Sequence, residues 1–377
     1  MTDIEQNLFA EFWRKLCEAT DIGVAKSNAE YITGDFYHEL QHNNAVFAAF
    51  KTHRMGNDMA KLLQDSNGNL KPFEQWVNDV QPIANHQVYN WFKTEYNTAI
   101  HRAHLATDWL QFEAEKDVLP NLEWMESTSV ERRLSHVPYY GLILPIDHEF
   151  WKHIKPGDEW GCKCYLAATD EEPTPEEQVP AFGDHKPTKG LENNPADDAK
   201  VFSESHPYFP SSCKGCKFNT EGAAPMAMFF GQKKKNCYEC GKVVNLTFEA
   251  IKKAAKANID KLKNEIDMYN GYNIPKADSP RGNVIFLRGS FKRIIEHGGN
   301  TKEIQGLLAR LKFEDVNKWR YVGSAPHAKP HPESENVHYY ECDFNGNTYY
   351  IITLAHKRYD GDVVHSIKLK EPLDTTK

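Results

Sequence analysis

Two pairs of cysteines have the spacing that most directly predicts chemistry in this 377-residue chain. Cys213 and Cys216 form one C-x-x-C pair, and Cys237 and Cys240 form a second pair after 20 intervening residues. Each pair can place two thiolates on one tight turn, and two pairs can complete a tetrahedral site of four sulfurs for Zn²⁺. Because protein would fill all four positions, the pattern predicts a structural zinc ribbon over residues 213–245. An iron site and a redox dithiol are the alternatives.

A second group of residues has ligand chemistry of the same kind. Cys162 and Cys164 form a C-x-C pair that can bind one ion, and His136 precedes them. Thiolates and imidazole suit Zn²⁺, so these three residues are candidates for a second metal site. Further candidate ligands nearby in the sequence are Asp147, His148 and His153. The alternative is that burial of the thiols and hydrogen bonding simply hold the domain together.

The last hundred residues contain a third group, made of His297, Arg320, His356 and His365. One histidine can remove the proton of a ribose 2′-hydroxyl while another protonates the leaving oxygen. An arginine can stabilise the charge that develops on the phosphate. The group therefore predicts a metal-independent ribonuclease site if the fold brings the four side chains to one face. The alternative is that each histidine is a surface or packing residue.

These residues require elements to position them, and the N-terminal part reads as helical. Residues 3–118 carry apolar side chains at three- and four-residue steps, with a turn predicted at 65–69. Residues 120–164 are rich in aromatic side chains and short strand-like segments, and four aromatics are expected to be buried around Cys162 and Cys164: Trp124, Phe150, Trp151 and Trp160. The proline-rich stretch 168–212 predicts a linker or an extended arm laid across another surface.

The C-terminal part reads as a mixture of helices and strands. Asn345-Gly346 is typical of a two-residue hairpin turn and predicts an antiparallel sheet. The predicted elements are helices at about 247–268, Ser290–His297 and Thr301–Leu311, followed by strands at Val337–Phe344, Thr348–Ala355 and Val363–Leu369.

Together the patterns predict a multidomain α+β protein. The predicted segments are a mainly helical domain 1–166, a proline-rich arm 167–212, a zinc ribbon 213–245, a connecting helix 246–277 and a small α+β domain 278–377. Hydrophobic residues make up 40% of the chain and aromatics 12%, which excludes a disordered scaffold. No apolar run approaches about 18 residues, and the first residues lack the features of a signal peptide. We therefore expect no membrane partner and a cytoplasmic location during synthesis.

Residues 40–210 resemble the phage Mu F-like head-morphogenesis family of minor head proteins. The resemblance is carried by an aromatic residue before an Arg-x-x-His step that ends at His136, a glycine-hydrophobic segment, and the closing C-x-C of Cys162 and Cys164. Gly161 and Lys163 stand where the family has Asn and Arg. The resemblance implies a virion component that acts at or inside the capsid near the portal. Portal and capsid proteins would be its partners in an oligomeric assembly, with packaged DNA nearby.

Residues 278–377 resemble the barnase–EndoU–colicin–RelE group of metal-independent ribonucleases, because two helices precede an antiparallel sheet that bears His, Lys and Arg. Domains of this group occur fused behind Mu F-like domains. The resemblance implies RNA as a substrate. Two alternatives stay open: a polymorphic-toxin ribonuclease that the head module delivers, and a catalytically inactive binding module.

Overall fold

The computed structural model describes residues 4–27, 31–130, 132–181, 185–213, 216, 236–269, 271–298, 301–331, 334–344 and 347–369. The chain divides into two compact units, Met1–Thr247 and Phe248–Lys377. Helices and two separate sheets confirm the mixed α+β class. Within the described residues, none of the helices is both long and apolar enough to cross a membrane.

The first unit begins with four long helices, as predicted. They are α1 (Gln6–Val24), α2 (Gly34–Ala60), α3 (Phe73–Asn85) and α4 (Trp91–Glu115), with a π-helical turn at His86–Asn90 between the last two. The apolar stripe of α1 is fully buried, as Phe9 and Leu16 illustrate. α1 and α4 approach closely at Gly23, where an added Cβ would overlap the Ile100 carbonyl oxygen. The predicted turn is also present, with the Asp65 carboxylate accepting backbone N–H groups 2.8 and 2.9 Å away.

Short elements follow the helices and build a small aromatic core. They are β1 (Asn121–Met125), β2 (Ile143–Pro145), α5 (Phe150–His153), β3 (Tyr165–Thr169) and α6 (Pro195–Asp198). The strands form an antiparallel sheet in the order β2-β1-β3. Trp124, Phe150 and Trp151 are buried in one cluster with Cys162 and Cys164, as predicted. The fourth aromatic does not join them: Trp160 is half-buried and its ring contacts Phe202 and His206 instead.

The proline-rich arm is part of the first unit. β3 spans the predicted domain boundary at residue 166, and the described part of the chain beyond it packs back onto the helices. Arg102 of α4 is fully buried, and its guanidinium donates hydrogen bonds to the carbonyl oxygens of Val201 and Gly157, both at 2.7 Å. The same group binds the carbonyl oxygens of Leu191 and Asn193 at 3.1 and 2.8 Å. The arm is therefore laid across the helical surface, which is the second of the two predicted alternatives.

The second unit is built on a six-stranded sheet. Its elements are the greater part of α7 (Gly241–Tyr269), then β4 (Tyr272–Pro275), β5 (Asn283–Phe286), α8 (Arg288–Gly298), α9 (Lys302–Arg310), β6 (Arg320–His331), β7 (Ser334–Phe344), β8 (Asn347–His356) and β9 (Asp362–Leu369). The strand order is β4-β5-β9-β8-β7-β6. Only β5 and β9 run parallel; the other neighbours in the described sheet are antiparallel.

The predicted helices and strands of this unit are confirmed, whereas β4, β5 and β6 were not predicted. β4 and β5 have only four residues each. β6 contains Gly323 and Pro326 and shifts register at both, so it lacks the regular alternation that marks a strand in a sequence. The Asn345-Gly346 turn lies outside the described residues.

We expect Arg102→Met to destabilise the first unit by at least about 3 kcal/mol, since four carbonyl groups would lose their donor and those of Gly157, Leu191 and Val201 are buried. The midpoint of urea unfolding, followed by tryptophan fluorescence, measures the effect. Arg14→Met is the matched control, because Arg14 pairs with Glu11 on the surface and should cost within about 0.5 kcal/mol. Equal midpoints for the two variants would contradict a central role for Arg102.

Candidate metal centre

His136, Cys162 and Cys164 come together at one end of the small sheet. His136 closes a turn after β1 by donating its N–H to the Arg133 carbonyl oxygen at 3.0 Å, and the two cysteines directly precede β3. All three side chains are buried. Their ligand atoms lie within 4.8 Å of one another, so the predicted group could hold a metal ion.

The distances suit a tetrahedral ion. Nδ1 of His136 lies 3.4 Å from Sγ of Cys162 and 3.7 Å from Sγ of Cys164. Bonds of about 2.3 Å to sulfur and about 2.0 Å to nitrogen at a tetrahedral angle require a nitrogen–sulfur separation of about 3.5 Å. The two nitrogen–sulfur distances are therefore close to those that one shared ion would require.

The backbone around Cys162 supplies donors to its sulfur. The N–H groups of Gly157 and Cys164 point to Sγ at 3.5 and 3.4 Å. Gly157 and Gly161 both have positive φ, at 85° and 73°, which lets the loop turn sharply around the sulfur. An added Cβ at Gly157 would also lie 2.9 Å from the Leu105 side chain. The loop is thus shaped by glycines that no side chain can replace without strain.

A carboxylate occupies the other side of the imidazole. Oδ1 of Asp158 lies 3.0 Å from Nε2 of His136, and both residues are fully buried. Oδ2 lies 2.9 Å from Nε2 of His185 and accepts the Lys155 N–H at 3.3 Å. A carboxylate on the far nitrogen is the usual way in which a metal-binding histidine is oriented. His136, Asp158 and His185 are themselves a second group that could hold an ion. Of the two groups, we favour His136, Cys162 and Cys164 as the metal ligands, because two thiolates and an imidazole are typical ligands of Zn²⁺.

The electrostatics make one of the two thiols easy to ionise and keep the other neutral. The hydrogen bond to Cys164 and burial both raise the pKa of Cys162. The hydrogen bond from Cys162 lowers the pKa of Cys164 to about 5, against the effect of burial. Burial favours the neutral form of His136, but Asp158 and Cys164 outweigh it and raise its pKa to about 9. Burial likewise opposes the ionisation of Asp158, yet its two histidine partners lower its pKa to about 2. A divalent ion bound here would replace the proton that His136 Nδ1 shares with the two sulfurs.

The remaining candidate ligands of this group lie elsewhere. His148 pairs with Glu176 at 3.2 Å and His153 with Glu149 at 3.3 Å, while Asp147 is exposed. Asp158 and His185 were missed from the sequence. A signal existed for Asp158, which follows Pro156-Gly157 just before the C-x-C pair, but nothing local marks His185.

The four cysteines of the predicted ribbon do not form a group of three or more close ligand atoms among the described residues. Each pair does form the tight turn that the prediction requires. The Cys216 N–H donates to the Cys213 carbonyl oxygen at 3.2 Å, and the Cys240 N–H donates to the Cys237 carbonyl oxygen at 3.3 Å. Residues 217–235 lie outside the described part of the chain, so the zinc ribbon stays a prediction.

The predicted ribonuclease residues are only partly brought together. The rings of His297 on α8 and His365 on β9 stack with centroids 4.9 Å apart. Arg320 pairs with Glu341 at the start of β6, three strands away from β9 and therefore about 14 Å along the sheet. The His356 ring packs against Tyr359, with centroids 5.0 Å apart, and its Nδ1 accepts the Arg358 N–H at 3.2 Å.

Comparisons of the chain with protein-family models, with curated proteins and with solved structures gave no match.

We expect Asp158→Asn to weaken metal binding at His136, Cys162 and Cys164 by about 10–100-fold, because the amide cannot hold the imidazole as the carboxylate does. Competition with a chromophoric chelator measures the affinity, in a Cys237→Ser background that disables the predicted four-cysteine site. Glu159→Gln is the control, since Glu159 accepts a hydrogen bond from Ser135 and lies outside both ligand groups. An unchanged affinity of Asp158→Asn would show that this carboxylate does not orient the ligand.

Proposed function

We propose that the first unit is a Mu F-like minor head module whose small sheet is held together by a metal centre. One observation carries the proposal: residues of the resembled motif that are far apart in the sequence share one buried cluster. Trp124 packs edge-on against His136 at 5.3 Å, and His136 faces Cys162 and Cys164. A set of residues that meets in this way is expected of a structural centre that the module needs in order to fold.

The proposed ion is Zn²⁺. Two thiolates and an imidazole are ligands that this ion prefers, and Zn²⁺ needs no redox partner. When bound, it would link the turn ending at His136 to the loop that carries Cys162 and Cys164. The ribbon of Cys213, Cys216, Cys237 and Cys240 is proposed as a second, structural zinc site.

In this proposal the protein joins the phage or prophage head in several copies, at or inside the capsid near the portal. Portal and capsid proteins are its partners, and packaged DNA is its neighbour. After synthesis in the cytoplasm it would remain in the virion. The resemblance of residues 40–210 supports this role.

The second unit is proposed to be a metal-independent ribonuclease that the head module carries. The stacked His297 and His365 favour this function, because two imidazoles within reach of each other suit acid–base chemistry. A polymorphic toxin delivered by the head module would use the same chemistry. A catalytically inactive binding module is the outcome if RNA is left intact.

Zinc analysis of the purified chain should find two ions per molecule. We expect Cys164→Ser to remove one of them and Cys237→Ser to remove the other, since each variant breaks a different ligand set. Cys342→Ala is the control, because Cys342 is a buried thiol in the second unit, outside both ligand sets. Full zinc content in Cys164→Ser would exclude the first site, and full content in Cys237→Ser would exclude the ribbon.

Head assembly can be tested by co-expressing the chain with the portal and major capsid proteins of the phage or prophage that encodes it. The wild-type chain should co-sediment with assembled heads, and Cys162→Ser with Cys164→Ser should reduce its incorporation. Cys342→Ala again controls for loss of a buried thiol. Heads that contain none of the wild-type chain would rule out the minor head function.

A further inference from the structure

The second unit contains a buried carboxylate that the predicted site did not include. Asp362 opens β9 and is fully buried. Its Oδ1 lies 2.8 Å from Nδ1 of His338, and its Oδ2 accepts hydrogen bonds from the Tyr340 hydroxyl at 2.7 Å and the Ser279 hydroxyl at 2.9 Å. Three donors on one carboxylate, without a lysine or arginine among them, give Asp362 a single defined orientation.

The sheet itself creates this contact. His338 on β7 pairs with Thr353 of the intervening strand β8, and Asp362 on β9 pairs with Ala355 of β8. Paired residues share a face, and Thr353 and Ala355, two residues apart, also share one. The two side chains therefore meet over β8, where Ala355 is small enough to leave room.

The arrangement leaves one nitrogen of His338 available. With Nδ1 on the carboxylate, Nε2 makes no hydrogen bond to any described residue, and 8% of the side chain is exposed. A carboxylate that holds Nδ1–H selects the tautomer whose Nε2 carries a lone pair and stabilises the imidazolium that forms on protonation. Burial and the hydrogen bond to Asp362 raise the pKa of Tyr340, so this hydroxyl stays a donor.

Positively charged residues lie on the two turns next to Asp362. The Arg281 guanidinium donates hydrogen bonds to the carbonyl oxygens of His356 and Tyr359, at 3.1 and 2.7 Å. These bonds link the turn between β4 and β5 to the turn between β8 and β9. Lys357 and Arg358 are exposed on that second turn, against one exposed carboxylate, Asp360. Arginine and lysine side chains in such a group suit a phosphate-bearing ligand.

We infer that His338, held by Asp362, is the general base of a phosphodiester-cleaving site whose substrate is RNA. The inference rests on the proposed ribonuclease function and moves its reacting centre away from His297 and His365. Nε2 of His338 takes the proton of a ribose 2′-hydroxyl, and O2′ forms a bond to phosphorus. The bond from phosphorus to O5′ breaks, and water protonates the leaving oxygen. The products are a 2′,3′-cyclic phosphate and a 5′-hydroxyl, and the imidazolium returns its proton to solvent.

The test uses the full chain and an end-labelled single-stranded RNA, with the all-2′-deoxy oligomer as a binding probe. His338→Gln should lower the cleavage rate about 10²–10⁴-fold and leave binding of the deoxy oligomer unchanged. His338→Ala should regain cleavage when imidazole is added, which a purely structural defect would not allow. Asp362→Asn, a change at the positioning residue, should lower kcat while KM stays the same. His327→Gln on β6 is the matched control in this unit.

The outcomes separate the two proposals. If the wild type cleaves RNA and His338→Gln cleaves equally well, the assignment of His338 is overturned and the ribonuclease function stands. If His297→Gln and His365→Gln then lose cleavage while His338→Gln keeps it, the stacked pair of His297 and His365 is the reacting site. If His338→Ala is inactive and imidazole restores nothing, His338 has a structural role only. Intact RNA with the wild type overturns both proposals.

Discussion

The first unit depends on a fully buried positive charge. Arg102 donates to carbonyl oxygens at four points of the chain, and its pKa is lowered by burial only to about 10, so it remains charged at neutral pH. Moving such an ion from water into a protein interior costs several kcal/mol. Here the carbonyl oxygens bind the guanidinium, and the charges of Asp158, Asp198 and Glu192 favour its charged form. The loop at Gly157 and the arm can therefore take only the path that satisfies the guanidinium.

This constraint extends to the candidate metal centre. Gly157 gives its carbonyl oxygen to Arg102 and its N–H to the sulfur of Cys162, so one peptide segment links the buried cation to the ligand loop. A second contact fixes the arm to the helices at Tyr208. Its hydroxyl donates to Glu95 at 2.5 Å and accepts from the buried Lys51 at 3.0 Å. The arm in turn supplies His185, the second partner of Asp158. The helices, the arm and the ligand loop thus form one connected polar framework inside an apolar unit.

Both units contain a buried carboxylate–histidine pair, and the two pairs suit different chemistry. In each, a fully buried carboxylate faces one nitrogen of a buried histidine: Asp158 beside His136, and Asp362 beside His338. The chemistry that each histidine suits depends on what its second ring nitrogen faces. For His136 it faces two sulfurs and suits a metal ion, whereas for His338 it faces no described partner and suits proton transfer.

The residue pattern was enough to predict the main helices, three strands of the second unit and the groups whose members are close along the chain. Apolar periodicity predicted the helices, the Asn345-Gly346 hairpin signal supported the antiparallel strands β7 and β8, and the C-x-C spacing predicted Cys162 and Cys164 as neighbours. The residues that join these groups from distant parts of the chain were visible only in the folded structure. His185 reaches Asp158 across 27 residues, and His338 reaches Asp362 across 24 residues and an intervening strand. Such pairs produce no periodic pattern in the sequence, because the order of the strands and the path of the arm determine which residues meet. Asp362 directly follows Asp360-Gly361, a pair typical of turns, and only the pairing of β9 with β8 brings its side chain to His338.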